Sequence, residues 1–137
     1  MINDNEKLIA RYPFLQPDYN DEPNEFLTTY LDDIPIGWKN SFGLQMCEEL
    51  RNILIEGECL DDYCVLQTKE KYGRLCWYDN GVPLKIANKY DEWLNKYEEL
   101  SEHTCIRCGS PDAKMCGYSW IIPLCDKCEE DWRNGVW

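Results

Sequence analysis

Apolar side chains recur at the spacing of one helix face over residues 41–56. Phe42, Met46, Cys47, Leu50, Ile53 and Leu54 fall on a single stripe, and Gly57 follows as a stop signal. A stronger stripe marks residues 83–101, where Ile86, Ala87, Tyr90, Trp93, Leu94, Tyr97 and Leu100 line up. Pro83 suits the first position of that helix, and Glu92 with Lys96 makes a favourable i,i+4 pair. Between the two helices the pattern changes. Residues 63–68 and 75–78 are β-prone, residues 69–74 supply a turn, and Asp79-Asn80-Gly81 closes the second strand. This reads as a β-hairpin.

The first third is less regular. Residues 3–12 predict a short helix, with Asn3 and Glu6 at capping-box spacing and Pro13 as its end. Residues 17–23 form a polar connector. Residues 25–31 predict a helical turn with Phe26, Leu27, Tyr30 and Leu31 on one side, and residues 32–37 read as loop. The fold class is therefore α+β: helices packed on a small antiparallel hairpin or sheet.

Near the end the chemistry becomes explicit. Cys105, Cys108, Cys125 and Cys128 form two C-x-x-C pairs separated by sixteen residues. A two-residue gap lets a tight turn aim both sulfurs at one ion, and a second pair completes a tetrahedron, which predicts one structural Zn2+. Gly109 supplies the positive φ expected after the first pair. Between the pairs, 114–116 and 119–122 read as hairpin arms, with Gly117-Tyr118 at the bend and Pro123 ending the second arm. The acidic run after Cys125 suits the first turn of a helix. The order knuckle, hairpin, helix predicts a treble-clef-like module, with a zinc ribbon as the alternative. The division is a helical and hairpin body over 1–103 and a zinc module over 104–137, packed as one unit.

Four closed thiolates leave no open position for a substrate, and a redox C-x-x-C normally stands alone. Cys47, Cys59, Cys64, Cys76 and Cys116 read as small buried apolar residues. The odd total of nine cysteines and the lack of a secretory-type apolar leader predict a reducing, cytoplasmic setting. No apolar run approaches the ~20 residues that span a membrane.

Charge narrows the partners. Fourteen basic and twenty-six acidic side chains give −12, and four thiolates on one Zn2+ add a net two negative charges. Residues 1–33 carry −6, residues 34–104 carry −5 and residues 105–137 only −1. Such a chain repels nucleic-acid phosphates on average and suits a basic protein partner. Lys69, Lys71 and Arg74 stand out against this background beside Tyr72 and Trp77, a grouping that can grip a phosphate-bearing ligand by charge and stacking.

The stretch Gln67-Thr68-Lys69-Glu70-Lys71-Tyr72-Gly73-Arg74-Leu75-Cys76-Trp77-Tyr78, then a helix, then Thr104-Cys105-Ile106-Arg107-Cys108-Gly109, resembles a set of small zinc proteins common in phages and prophages. Their pattern is K-E-K-F-G-x-L-R-x-Y, a glycine, a helix, a T-C-x-x-C-G knuckle and a later G-W…L-C element. Gly117-Tyr118-Ser119-Trp120 and Leu124-Cys125 are similar to that last element. The likeness covers residues 63–128, and Cys76 departs from it where those proteins carry Arg. It implies a phage-type cytoplasmic zinc protein and no particular activity.

No nucleophile has a base beside it in the sequence, and the sole histidine, His103, stands just outside the first knuckle, where packing or a hydrogen bond to a thiolate is its expected role. The leading expectation is a non-enzymatic interaction protein that binds and modulates a host or phage protein, such as a host defence factor. Trp38, Trp77, Trp120, Trp132 and Trp137 are its candidate anchors, with Trp120 and Trp137 foremost, since interface hot spots favour Trp. The alternative is a binder of a phosphate-bearing small ligand or nucleic acid through 69–77 and the zinc module.

Overall fold

A computed structural model describes residues 4–17, 28–117 and 119–136. Helix α1, Asp4–Arg11, carries acids in its first turn and Arg11 in its last, as the helix dipole favours. The expected cap Asn3, nearly all of the 17–23 connector and residues 25–27 of the 25–31 turn lie outside the described residues. Pro13 does end α1, then opens a 3-10 turn, Pro13–Leu15, that buries Phe14 and Leu15. A second 3-10 turn, Tyr30–Asp33, begins within the expected helical turn and runs two residues into the expected loop. Thr29 caps it: its hydroxyl accepts from the Leu31 N–H, and its own N–H donates to Asp32 at 2.8 Å.

The central helix begins earlier than its stripe predicts. Helical backbone starts at Ile36–Trp38, passes through a π-helical turn, Lys39–Gly43, and continues as α2, Leu44–Glu56. Pro35 and Gly37 read as loop signals, yet Pro35 is the residue just before the helix, where its missing N–H has no helical partner to lose. Gly37 serves a close approach. A Cβ there would stand 2.1 Å from the Cys105 carbonyl oxygen. Its N–H donates to the Ile106 carbonyl at 2.8 Å, and the buried Trp38 indole donates to the Thr104 carbonyl at 2.8 Å. The start of the helix is thus pinned by residues some seventy positions downstream.

The hairpin is longer and tighter than expected. Strand β1, Val65–Lys71, pairs antiparallel with β2, Arg74–Asp79, and Lys71 stands opposite Arg74. Only Tyr72-Gly73 turns, with φ of 54° and 80°, the signature of a type I′ turn whose twist matches the strands. The charged 69–74 segment is therefore mostly strand, with Lys69 and Lys71 on the face turned from the core and Glu70 opposite the buried Leu75. Thr68, Leu75 and Trp77 are buried on the other face.

Helix α3, Ala87–Glu102, follows a 3-10 turn, Leu84–Ile86, so Pro83 precedes the helical backbone rather than opening it. It lies along β2, where the Ser101 hydroxyl accepts the Leu75 N–H at 2.9 Å. It also meets α2: the Trp93 indole donates to the Met46 carbonyl at 2.9 Å. Lys96 reaches across to Glu49 on α2 at 2.9 Å, rather than pairing along its own helix with Glu92. Rings of Tyr63, Tyr90, Trp93, Trp77, Tyr97 and Phe42 pack in a chain, with centroids 5.5 to 6.4 Å apart.

The last elements are β3, Lys114–Cys116, β4, Ile122–Leu124, and helix α4, Asp126–Arg133. Pro123 was expected to end an arm over 119–122, but it sits inside β4 opposite Met115. A two-stranded ribbon has an open edge on each strand, so proline fits there. One cluster of buried side chains runs from Tyr12 and Phe14 through the helices to Ile122, Leu124 and Cys128. Among the described residues, no helix is long and apolar enough to cross a membrane.

Three substitutions test this packing by thermal or denaturant unfolding. Gly37→Ala forces a side chain into the Cys105 and Ile106 backbone and is expected to cost about 1–3 kcal/mol, the usual range for overpacking. Gly43→Ala meets only ordinary contacts, the nearest 3.6 Å away, and is expected to be neutral or stabilising by up to ~1 kcal/mol. Tyr72→Asn, relieving a left-handed aromatic residue, is expected to stabilise by up to ~1 kcal/mol.

Candidate metal centre

The two cysteine pairs are held by different devices. The first lies on a turn between α3 and β3. The Cys105 N–H donates to the Ser110 carbonyl at 2.9 Å, and the Gly109 N–H returns to the Cys105 carbonyl at 3.0 Å. Gly109 has φ of 81°, and a Cβ on it would lie 2.8 Å from the Gly37 carbonyl oxygen. Any side chain at either glycine would push the turn off the helix beneath it. The second pair opens α4: Cys125 is the residue before the helix and Cys128 stands in its first turn. There the exposed N–H groups and helix dipole favour negative charge.

These devices bring the sulfurs of Cys105, Cys108, Cys125 and Cys128 within 4.8 Å of one another, and the group can hold a metal ion. Cys105 and Cys128 are buried, Cys125 is half-buried and Cys108 is exposed. Burial alone would push the Cys105 thiol up. The N–H groups of Cys108, Cys125 and Arg107 aimed at its sulfur outweigh that and bring it down to about 7. Burial raises the Cys108 and Cys128 thiols. Backbone N–H groups thus favour a thiolate at Cys105, while burial disfavours one at Cys108 and Cys128.

Other cysteines stay apart from this group. Cys47, Cys59 and Cys116 are buried, as expected, whereas Cys64 is exposed and Cys76 half-buried. An unpaired thiol at a strand end or on a hairpin's outer face needs no core position. Cys116 donates to the Lys114 carbonyl at 3.2 Å, and burial followed by the nearby Glu129 carboxylate pushes it up to about 11. No second metal-type cluster exists among the described residues. His103 ends α3 with an exposed ring, not packed as expected, and its carbonyl accepts the Ala113 N–H at 3.2 Å.

The basic-aromatic hairpin is only partly assembled. Lys69, Lys71 and Tyr72 share the surface near the turn, with Lys69 Nζ 5.8 Å from the Tyr78 ring centre and Lys71 Nζ 5.8 Å from that of Tyr72. Arg74 is turned to Glu102 and Glu98 of α3. Trp77 is 5 % exposed, stacks on Trp93 and donates to the Tyr63 hydroxyl at 2.8 Å. It belongs to the core and cannot stack on a ligand. The tip of the hairpin rests on the zinc-type module, where a Cβ on Gly73 would meet Met115 Sδ at 2.6 Å.

Trp120, by contrast, is 56 % exposed. Its ring meets Trp132 of α4 at 89° with centroids 6.2 Å apart. A groove of about 480 Å³ runs from this pair to Ile36, Ile106 and Arg107. Trp132, one of the tryptophans expected as an anchor, lines this groove from α4, whereas Trp38 is fully buried. Ile36 was not foreseen as part of this surface, and it joins because the helix starts early. Trp137 lies outside the described residues.

Comparison with protein-family models, with curated proteins and with solved structures finds no match.

Metal binding requires deprotonated sulfurs, so protons compete with the ion and occupancy falls as pH falls. Acidifying the metal-loaded protein is expected to release the ion, read with a metal-binding dye. Cys105→Ser and Cys128→Ser are each expected to weaken binding by more than about a hundredfold, beyond what loss of an outer partner costs. Cys64→Ser is expected to leave occupancy unchanged.

Proposed function

We propose that this chain is a non-enzymatic, zinc-stabilised interaction protein that binds a partner protein through the face around Trp120. The metal is one structural Zn2+ on Cys105, Cys108, Cys125 and Cys128, since four thiolates suit Zn2+ and leave no open position. The order knuckle, β3–β4 hairpin, then a second pair opening α4 is that of a treble-clef-like module.

The observation that carries the reading is the exposed apolar surface on this module. Trp120, its chain neighbour Ile121 and Ile36 are all substantially exposed, and Trp120 and Ile36 line one groove. Exposed apolar side chains gathered around a Trp mark interaction sites. Three carboxylates on the body serve structure. Glu48 accepts from Arg11 and Tyr12, Glu49 from Lys96 and Tyr97, and Asp79 from Tyr63 and Tyr90. The phosphate-ligand reading retains only Lys69, Lys71 and Tyr72, which makes the protein-binding reading the better supported. The resemblance to phage and prophage proteins makes a host protein in the cytoplasm the partner class, and the charge of −12 favours one with a basic surface.

Photo-crosslinking amino acids at Ile36, Ser119 and Leu84 test this in host cells, since Ile36 and Ser119 each line a pocket with Trp120. Ile36 and Ser119 are expected to capture the same protein, and Trp120→Ala to abolish both captures without loss of zinc. Leu84, which is 94 % exposed away from this face, is expected to capture nothing. Equal capture from all three positions, or capture indifferent to Trp120→Ala, refutes the assignment.

A further inference from the structure

A second pocket, of about 350 Å³, opens beside the same tryptophan pair and is lined by Cys116, Gly117, Ser119, Trp120, Glu129, Trp132 and Arg133. Its construction is specific. Gly117 has φ of 103°, and a Cβ there would lie 2.1 Å from the Trp120 carbonyl oxygen and 3.2 Å from the Trp132 ring. The loop after β3 therefore folds back on itself at a residue without a side chain. It sets the Trp120 ring at right angles to Trp132. Glu129, on the first turn of α4, brings a carboxylate whose side chain is 20 % exposed to the same pocket.

Two tryptophan rings at a right angle with a carboxylate beside them form a site for a positive charge. Trp offers the strongest ring quadrupole of any side chain, and two rings can each present to one cation. The net charge of −12 deepens the potential that a cation meets on approach. The walls also decide which cation. A bare ammonium brings three N–H donors and a tight hydration shell, and needs several acceptors to replace it. An alkylated ammonium spreads its charge over methyl groups and has little to lose on apolar walls, so one carboxylate suffices. Arg133 pairs with Glu129 at 3.1 Å across one helical turn, with its side chain 72 % exposed. Exposed pairs of this kind are weak, so it is a rim cation that a ligand can displace.

We propose that the pocket between Trp120, Trp132 and Glu129 binds an alkylated ammonium group. This inference does not depend on the partner-protein reading, because a free amine can satisfy it. The zinc-loaded full chain is titrated with choline at constant ionic strength and followed by the indole N–H signals of its tryptophans. Saturable shifts confined to Trp120 and Trp132 are expected, while Trp38, Trp77 and Trp93 stay still. Trp120→Ala and Glu129→Gln are each expected to weaken binding by about tenfold, and Arg133→Ala to tighten it severalfold. The neutral isostere 3,3-dimethylbutan-1-ol is expected to bind at least about tenfold more weakly than choline. Equal binding of that isostere, or choline shifts that survive Trp120→Ala, overturns the proposal. A peptide bearing trimethyllysine, compared with choline, separates the sources. Tighter binding of the peptide assigns the group to a protein side chain, the reverse order assigns it to a free amine, and failure of both to bind overturns the site.

Discussion

The structure depends on one place where two backbones touch without side chains between them. Gly37 opens the central helix and Gly109 closes the first cysteine turn, and each has the other's chain where its Cβ would be. The Gly37 N–H and the Trp38 indole both donate to carbonyls of the knuckle region, at Ile106 and Thr104. Free energy that a metal ion would release on binding the four cysteines, on the order of 10–16 kcal/mol in small zinc modules, would therefore not be confined to the last thirty residues. It would reach the helix that carries Trp38, Phe42, Met46 and Leu50, all buried in the common core. Loss of the ion is expected to loosen the start of the helical region before its far end, because Gly57 and α3 hold that end by separate contacts.

Much of this architecture is legible in the residues, for identifiable reasons. The two long helices follow from apolar stripes, which record burial on one side. The four sulfurs follow from spacing, because two tight turns around one ion permit few alternatives. Long-range contacts are what local patterns miss. Pro35 and Gly37 read as loop because their local meaning is punctuation, yet tertiary contact with Cys105 and Ile106 makes them the start of a helix. The 69–74 segment reads as turn because it is charged, while strand pairing leaves just Tyr72 and Gly73 to turn. The Lys96 pairing likewise follows packing of α3 on α2, which no i,i+4 rule contains.

The candidate surfaces divide on the same principle. Trp77 and Trp120 are alike in sequence terms, aromatic residues beside turns and charges. Trp77 lies on the strand face that meets α3, so it stacks on Trp93 and satisfies its N–H on Tyr63. Trp120 lies in the connection between β3 and β4, with its ring against Trp132 of α4. Strand alternation decides the first case, and it becomes visible once the register with Arg74 opposite Lys71 is known.

That contrast bears on why a module this small leaves a tryptophan in water. A domain of this size has little apolar area to spare, and a large aromatic side chain is ordinarily its best source of burial energy. Trp38, Trp77 and Trp93 are used in that way, each buried and each with its indole N–H donated to a named acceptor. Where four thiolates on an ion stabilise the fold, burial of Trp120 is not required for folding. The ring is then available to a ligand or partner, and Gly117 holds the loop that presents it. An ion held by the four cysteines and the exposed tryptophan would in this sense be one device: the first would make the second possible.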